Sequence, residues 1–534
     1  MRTSTIGGAA IAAALGFAGV ASAANATEWK SRSIYQVMID RYALTDGSTD
    51  ATCEMHEFCG GTWRGLLNNL DYIQDMGFTA LQISPIVKNI DEDTAVGTAY
   101  HGYWPVDNYA LNDKYGTEQD FRDLVDELHR RDMLLMVDVV VNHMAQAFDN
   151  VVPPKVDYSK LNPFDDEKYF HPYCNVTEWE NSTNYQDCWL YPYGIALADL
   201  ATETTEVADE MNKWIAELVA NYSIDGLRID AAKHVNDEFL PGFVEASGVF
   251  SLGEVLTGEP DDMCRYQTLG LLPGMPNYLD FYKLNSAFNG GSLVDLAHIR
   301  NSGATACNDT LALGTFIENH DMPRFASMND DLALAKNAMT YVLLNDGIPT
   351  VYQGQEQHFK GNGTPFNREP LWDSKYNKSA PLYTLTATLN MVRNQAIKLS
   401  SDYIPTPSKT LWADINHFCL KKGTSGKQVV FCINNKSSMG DSYEVSVGGF
   451  QPNDEVVEVL GCKTTTADAT GNITMYMGRG EPKAYVLASF LDGTGICEQT
   501  NADAPVPDNG AGALTAATSM LLAAVVGTAV ALLA

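Results

Sequence analysis

Between Trp29 and about residue 395, short runs rich in β-branched residues alternate with longer stretches of helical period. This alternation constrains the fold more than any other feature, because it is the signature of βα units around a parallel sheet. Strand-like runs fall at 33–41, 78–85, 134–142, 224–230, 249–256, 313–318 and 347–353, and an eighth strand, sixth in order, is expected within 274–281. The intervening helices have the right period: Phe121, Leu124, Val125 and Leu128 recur at i, i+3, i+4 and i+7, with Thr117 and Asp120 spaced as a capping box. The expected fold class is therefore α/β, a (β/α)8 TIM barrel built from residues 24–143 and 201–399. Such barrels place their chemistry on the loops after the C-terminal ends of the strands.

A chain of 534 residues exceeds what one hydrophobic core usually organises. Two further units are expected. The segment 144–200 is rich in Pro, Tyr, Asn and Asp and is too long for a structureless loop, so it is read as an inserted subdomain after strand 3, stapled through Cys174 and Cys188. After residue 399 the helical period gives way to alternation, as in Val429/Phe431/Ile433 and Tyr443/Val445/Val447, which predicts a C-terminal antiparallel β-sandwich domain over 400–497.

The two ends read as addresses. Residues 1–23 carry Arg2, an apolar run and Ala21-Ser22-Ala23, the form of a secretory signal peptide. Residues 498–509 read as a stalk. Residues 510–534 follow the small cluster Asn509-Gly510-Ala511 and end in an apolar run without a basic flank, as in a glycosylphosphatidylinositol (GPI) anchor propeptide with attachment at Asn509. A tail-anchored span and a merely apolar C-terminus are the alternatives. Ten cysteines without a CxxC pair and nine Asn-X-Ser/Thr acceptors fit passage through a secretory pathway. With 35 Lys and Arg against 67 Asp and Glu, the net charge of −32 repels phosphodiesters and excludes nucleic acid as a partner. The only membrane contact expected is through the lipid anchor, and the expected state is a monomer.

Three acids stand where a barrel enzyme would place working groups: Asp230 ends a strand, Glu254 follows Leu252-Gly253, and Asp321 follows Asn319-His320. Cleaving an acetal takes one carboxylate as nucleophile and one carboxylic acid to protonate the leaving oxygen; a third can hold sugar hydroxyls. The alternative is that the three are ion-paired caps of apolar strands.

The words around these acids form four motifs in order: Asp138-Val139-Val140-Val141-Asn142-His143, Gly226-Leu227-Arg228-Ile229-Asp230 running on to Lys233-His234, Gly253-Glu254-Val255-Leu256, and Phe316-Ile317-Glu318-Asn319-His320-Asp321. With these the chain resembles the fungal secreted α-amylases of glycoside hydrolase family 13 over nearly all its length. The resemblance implies retaining hydrolysis of an α-1,4-glucan or maltooligosaccharide, with Asp230 as nucleophile, Glu254 as general acid/base and Asp321 as transition-state stabiliser. It further implies that Arg228 keeps the nucleophile ionised, that His143 and His320 bond sugar hydroxyls, and that His101, Tyr103 and Trp104 line the same subsite. Lys233, His234 and Gly258 would face the leaving group, and Arg368 is a further implied substrate-binding residue. A calcium cofactor is implied on Asn142 and Asp199 with the backbone carbonyls of Glu180 and His234.

The family's disulfides would correspond to Cys53–Cys59, Cys174–Cys188, Cys264–Cys307 and Cys462–Cys497. Cys419 and Cys432 remain, on consecutive predicted strands, and are read as a fifth, cross-strand bridge. Thr257 and Thr364 replace acids usual in the family, and the 53–59 loop is short, which weakens sugar contacts away from the scissile bond. A 4-α-glucanotransferase acting on cell-wall α-glucan is therefore the alternative activity, and a non-catalytic glucan-binding wall protein the minor one.

Overall fold

The structure, a computed structural model, describes residues 24–190 and 194–497. The signal peptide, the stalk and Asn509 with the anchor segment lie outside the described residues. Seven parallel barrel strands are present: β1 Ile34–Val37, β2 Ala80–Ile83, β3 Leu134–Val140, β4 Gly226–Asp230, β5 Phe250–Gly253, β6 Gly314–Thr315 and β7 Ile348–Tyr352. They lie in the order β6-β7-β1-β2-β3-β4-β5. The missing stave is the segment 274–276, which bridges Leu252 to Gly274 and Pro276 to Gly314. Gly253 N–H donates to the Gly274 carbonyl (3.0 Å) and Gly314 N–H to the Met275 carbonyl (2.9 Å). It stays short because Pro276 has no N–H to give and because Asn277 at once caps the helix Tyr278–Phe288.

All seven expected strands are shorter than read, and two of them end in a change of structure. The 33–41 run turns after Val37 into the short helix Ile39–Tyr42, and the 313–318 run leaves the sheet after Thr315. In the second case Glu318 turns inward, taking Arg324 Nη1 (3.1 Å) and the Phe325 N–H (3.0 Å). The helix Glu118–Arg130 buries Phe121, Leu124, Val125 and Leu128 and starts with the reciprocal Thr117/Asp120 capping box.

Trp29, Ile34, Ala80, Leu134, Met136, Phe250, Leu252 and Ile348 form an apolar plug near the strand starts. Closing that end of the barrel leaves the polar residues of the strands to their C-terminal ends. The inserted segment is anchored by an antiparallel ribbon, His143–Ala147 against Ile195–Asp199, with His143 opposite Asp199. Its Cys174–Cys188 bridge packs with Val176 and Tyr185.

Beyond the helix Pro381–Leu399, a six-stranded sheet faces the two-stranded ribbon Tyr443–Val447/Ile473–Met477. Val430, Val456 and Tyr485 of the sheet share a core with Val447, Met475 and Met477 of the ribbon, so this unit is a two-layer β structure. The structure joins Cys53–Cys59, Cys174–Cys188, Cys264–Cys307 and Cys419–Cys432, and no described cysteine, Cys462 and Cys497 included, is free. Cys419 and Cys432 are directly opposite in the antiparallel register. Among the described residues no helix is long and apolar enough to cross a membrane.

Candidate active site

The barrel register brings Asp138 of β3 level with Arg228 of β4, and Arg228 is buried among acids. Its Nη1 donates to Asp230 Oδ1 (2.6 Å) and to both Asp138 oxygens (3.1 and 3.0 Å), while Nη2 meets Glu254 Oε2 at 2.8 Å. One guanidinium thus ties together carboxylates from the ends of β3, β4 and β5. The residue after Asp230, Ala231, has φ 48°, a left-handed backbone that costs a non-glycine residue about 1 kcal/mol. That turn aims the Ala231 N–H at Glu254 Oε2 (3.0 Å), and the Tyr278 hydroxyl reaches Oε1 at 3.4 Å.

Asp321 completes the group on the opposite side. Its Oδ1 accepts from Arg368 Nη2 (3.2 Å), and His320 Nε2 lies 3.2 Å from its Oδ2. Gln36 Nε2 lies 3.1 Å from His320 Nδ1, so the amide donates there and the ring proton sits on Nε2, facing Asp321. The Tyr103 ring stacks parallel on His320 at 5.1 Å, and its hydroxyl donates to Asp138 Oδ2 (2.8 Å). Four acids share two guanidiniums here, which sets the electrostatics. Burial, helped by the nearby charge of Glu254 and opposed by Arg228, pushes Asp230 up to about 7. Burial also holds His143 down at about 4 and keeps His101 and His320 well below the usual histidine range, so all three rings are neutral near pH 7. Neutral imidazoles can both donate to and accept from hydroxyl groups.

These residues surround a cleft of about 530 Å³. Asp230, Glu254, Asp321, His101, Tyr103, Trp104, His143, Lys233, His234, His320 and Arg368 all line it. Arg228 lies beneath the acids rather than on the wall. Gly258 is not among the lining residues: it sits against Tyr282, whose ring would stand 3.2 Å from an added Cβ. The sequence reading gave no role to Trp179, Leu190, Leu197 and Leu256, which form the apolar part of the wall, or to Tyr278 and Asp138. Asp138 had a readable signal, a lone acid inside the otherwise apolar run of β3; Trp179 had none.

For the expected calcium ligands, Asn142 Nδ2 donates to Asp199 Oδ1 (3.0 Å), and His171 Nδ1 lies 2.7 Å from Asp199 Oδ2. Both Asn142 and Asp199 are buried, and burial pushes Asp199 up to about 7. His234 Nδ1 lies 3.0 Å from the Tyr185 carbonyl, and its ring meets Trp179, the neighbour of Glu180, edge-on.

Clustered carboxylates and neutral histidines over an apolar-walled cleft, at the C-terminal ends of a parallel barrel, define a glycoside hydrolase rather than a phosphate or nucleotide enzyme. Residues 36–396 match the model of the alpha amylase catalytic domain, and residues 410–505 that of alpha-amylase domain C. The chain belongs to the alpha-amylase family. It is 44% identical to alpha-amylase 2 of Schwanniomyces occidentalis over 481 residues, covering 89% of this chain and 94% of that protein. It is 43% identical to an alpha-amylase of Saccharomycopsis fibuligera over 87% of this chain and 93% of that one. The solved structure of an alpha-amylase from Malbranchea cinnamomea superposes with a TM-score of 0.85 at 44% identity, covering 89% of this chain and all of that one.

Proposed function

We propose that the chain is a retaining α-amylase that hydrolyses internal α-1,4-glucosidic bonds of starch-like glucans and maltooligosaccharides. The observation that carries this reading is the single buried guanidinium of Arg228 holding Asp230 and Glu254 together on the cleft floor, with Asp321 across from them. Asp230 attacks the anomeric carbon while Glu254 gives its proton to the departing glycosidic oxygen, leaving a glucosyl ester on Asp230. Glu254, now ionised, takes a proton from water, and the hydroxide oxygen displaces Asp230. Asp321, anchored by Arg368, binds hydroxyls of the distorted sugar, and the neutral His101, His143 and His320 supply further hydrogen bonds. Digestion of maltopentaose tests the reading: only shorter chains are expected, and an intact substrate with calcium present would overturn it.

One observation favours 4-α-glucanotransfer as a second activity. Beside His234 the cleft wall carries Trp179, 54% exposed, whose ring meets the imidazole edge-on, and Leu190, Leu197 and Leu256 add further apolar lining. Such a surface suits a sugar face better than an ordered water. Maltopentaose products longer than the substrate would mark transfer.

Calcium is proposed at Asn142 and Asp199 with the carbonyls of Glu180 and His234. The donor set is hard oxygen, as calcium prefers, and a buried carboxylate pushed up to about 7 is one that a cation would relieve. When bound, the ion supplies charge neutralisation and a tie between the end of β3 and the inserted ribbon. Chelation is expected to lower Tm by several degrees, since a ligand at 100 times its Kd adds about 2.7 kcal/mol. Calcium should restore the loss, and in Asp199→Asn chelation should leave Tm unchanged.

The disulfides support secretion. We also propose that the mature protein is a monomer attached to the outer face of the membrane or wall by a GPI anchor at Asn509, a reading that rests on the sequence of 509–534 alone.

A further inference from the structure

The loop that carries Arg368 to Asp321 also carries a phenylalanine that the fold does not bury. Phe366 is 55% exposed. Two residues on, Arg368 is fixed by the His320 carbonyl (Nε, 3.0 Å), and between them Asn367 Nδ2 donates to the carbonyls of His320 (2.9 Å) and Met322 (2.8 Å). The backbone under Phe366 is therefore pinned to the active site, while its ring is left to solvent.

The neighbour of that ring is also held in place. Phe366 meets His56 edge-on, with ring centres 6.1 Å apart. His56 lies in the Cys53–Cys59 loop, which two fully buried side chains support from beneath. Asp40 accepts the N–H groups of Cys59 (2.8 Å) and Gly60 (2.9 Å); Arg41 donates to the carbonyls of Met55 (3.1 Å) and Glu57 (2.7 Å). The Arg41 guanidinium lies 3.9 Å over the Tyr100 ring, and the Tyr100 hydroxyl in turn takes Arg368 Nη1 at 3.2 Å. From the other side Gly97, at φ 101°, packs so close to the His56 carbonyl that any side chain there would overlap it, and the Thr98 N–H bonds that carbonyl at 2.9 Å. The loops bearing His56, Tyr100 and Phe366 are thus one preorganised block at the Arg368 end of the cleft.

We propose that Phe366, braced by His56, is a stacking platform for a glucose unit of the same α-glucan chain, beyond Arg368 on the side away from the leaving group. The inference rests on the reading of the cleft as an α-glucan site. Direction follows from the chemistry: the leaving group departs past Glu254, whereas Arg368 is tied to Asp321, apart from the Trp179–His234 contact. The C–H face of a pyranose matches an exposed aromatic ring, and the site needs no charge for it. Thr364 offers none, and its hydroxyl faces the His320 carbonyl at 3.5 Å. A rigid aromatic on a pinned loop loses little freedom when it is covered, which is what makes such a residue an effective contact.

The experiment compares kcat/KM for maltotriose, too short to span both ends, with that for maltoheptaose. In Phe366→Ala the heptaose-to-triose ratio is expected to fall about tenfold, a change of 1.4 kcal/mol in binding, and in Phe366→Tyr to stay near the parent value. A parent-like ratio in Phe366→Ala, or an equal fall in Phe366→Tyr, overturns the platform. A parent enzyme that cleaves neither substrate overturns instead the reading of the cleft itself.

Discussion

Glu254→Gln is expected to lower kcat on maltopentaose by about 10²- to 10⁴-fold, the usual loss when a positioned general acid is removed. With α-maltosyl fluoride, whose leaving group departs without a proton, the first step should recover, because Asp230 and its partner Arg228 are untouched. The second step should not recover, since nothing activates the water. A maltosyl ester therefore accumulates, and peptide mass mapping should find it on Asp230. Asp230→Asn is expected to lose at least as much activity on both substrates and to form no ester. The pH profile carries the same assignment. In the parent, burial and the Glu254 charge raise Asp230 to about 7, so turnover should fall below that pH as the nucleophile takes up a proton. Gln carries no charge, so with the fluoride the acid limb of Glu254→Gln should move to lower pH. An ester on another residue, or an acid limb that stays in place in Glu254→Gln, would assign the roles differently.

The sequence made most of this arrangement legible because the residues involved are local to strand ends. Asp230, Glu254 and Asp321 could be placed from the apolar runs before them, since a strand's direction in a parallel barrel fixes which end is the catalytic face. What could not be read was whatever depends on contact across the barrel. Asp138 looked like one motif letter among six, yet register with Arg228 makes it the base of the acid cluster. The sixth stave could be bounded only to 274–281, because it has isolated bridges at Gly274 and Pro276 and no strand period to detect. Trp179 and Phe366 carry no periodic signal, being loop residues whose meaning comes from neighbours far away in sequence. Gly258 is the converse case. The family resemblance implied a leaving-group contact, whereas Gly258 sits against Tyr282 and Leu256 lines the wall.

The charge arithmetic also looks different at the site than over the chain. A net charge of −32 describes mostly solvated surface, whereas in the cleft four acids are gathered deliberately around two cations. Like charges in a buried site raise one another's affinity for protons. Burial and the Glu254 charge would leave Asp230 without its negative charge if Arg228 did not oppose them. Hydrolysis therefore depends on a residue that need not touch the sugar.

Arg228→Met should test that dependence and is expected to abolish turnover while destabilising the fold. The guanidinium is about as buried as Asp138, and removing one partner of a buried ion pair typically costs about 3–5 kcal/mol because the other charge is left uncompensated. Three carboxylates lose a partner here, so the loss should be partly offset by their taking up protons. That offset fixes the sign of the pH effect. Burial already raises Asp138 and Asp230 above their unfolded values, and removing the cation raises them further. A folded state that binds protons more tightly than the unfolded chain loses stability as pH rises from the unfolded value, near 4, through the raised folded value. The Tm gap between parent and Arg228→Met should therefore be small at pH 5 and wide at pH 8. Arg228→Lys separates charge from geometry. One ammonium can neutralise part of the cluster and recover much of the Tm, but it lacks the fork that reaches Asp230 and Glu254 together, so kcat should stay at least about 10²-fold down. Calorimetry at the two pH values and turnover of maltopentaose by both variants decide it. A gap that narrows at high pH, or a lysine variant with parental kcat, would mean that Arg228 neither holds the protonation balance nor orients the pair.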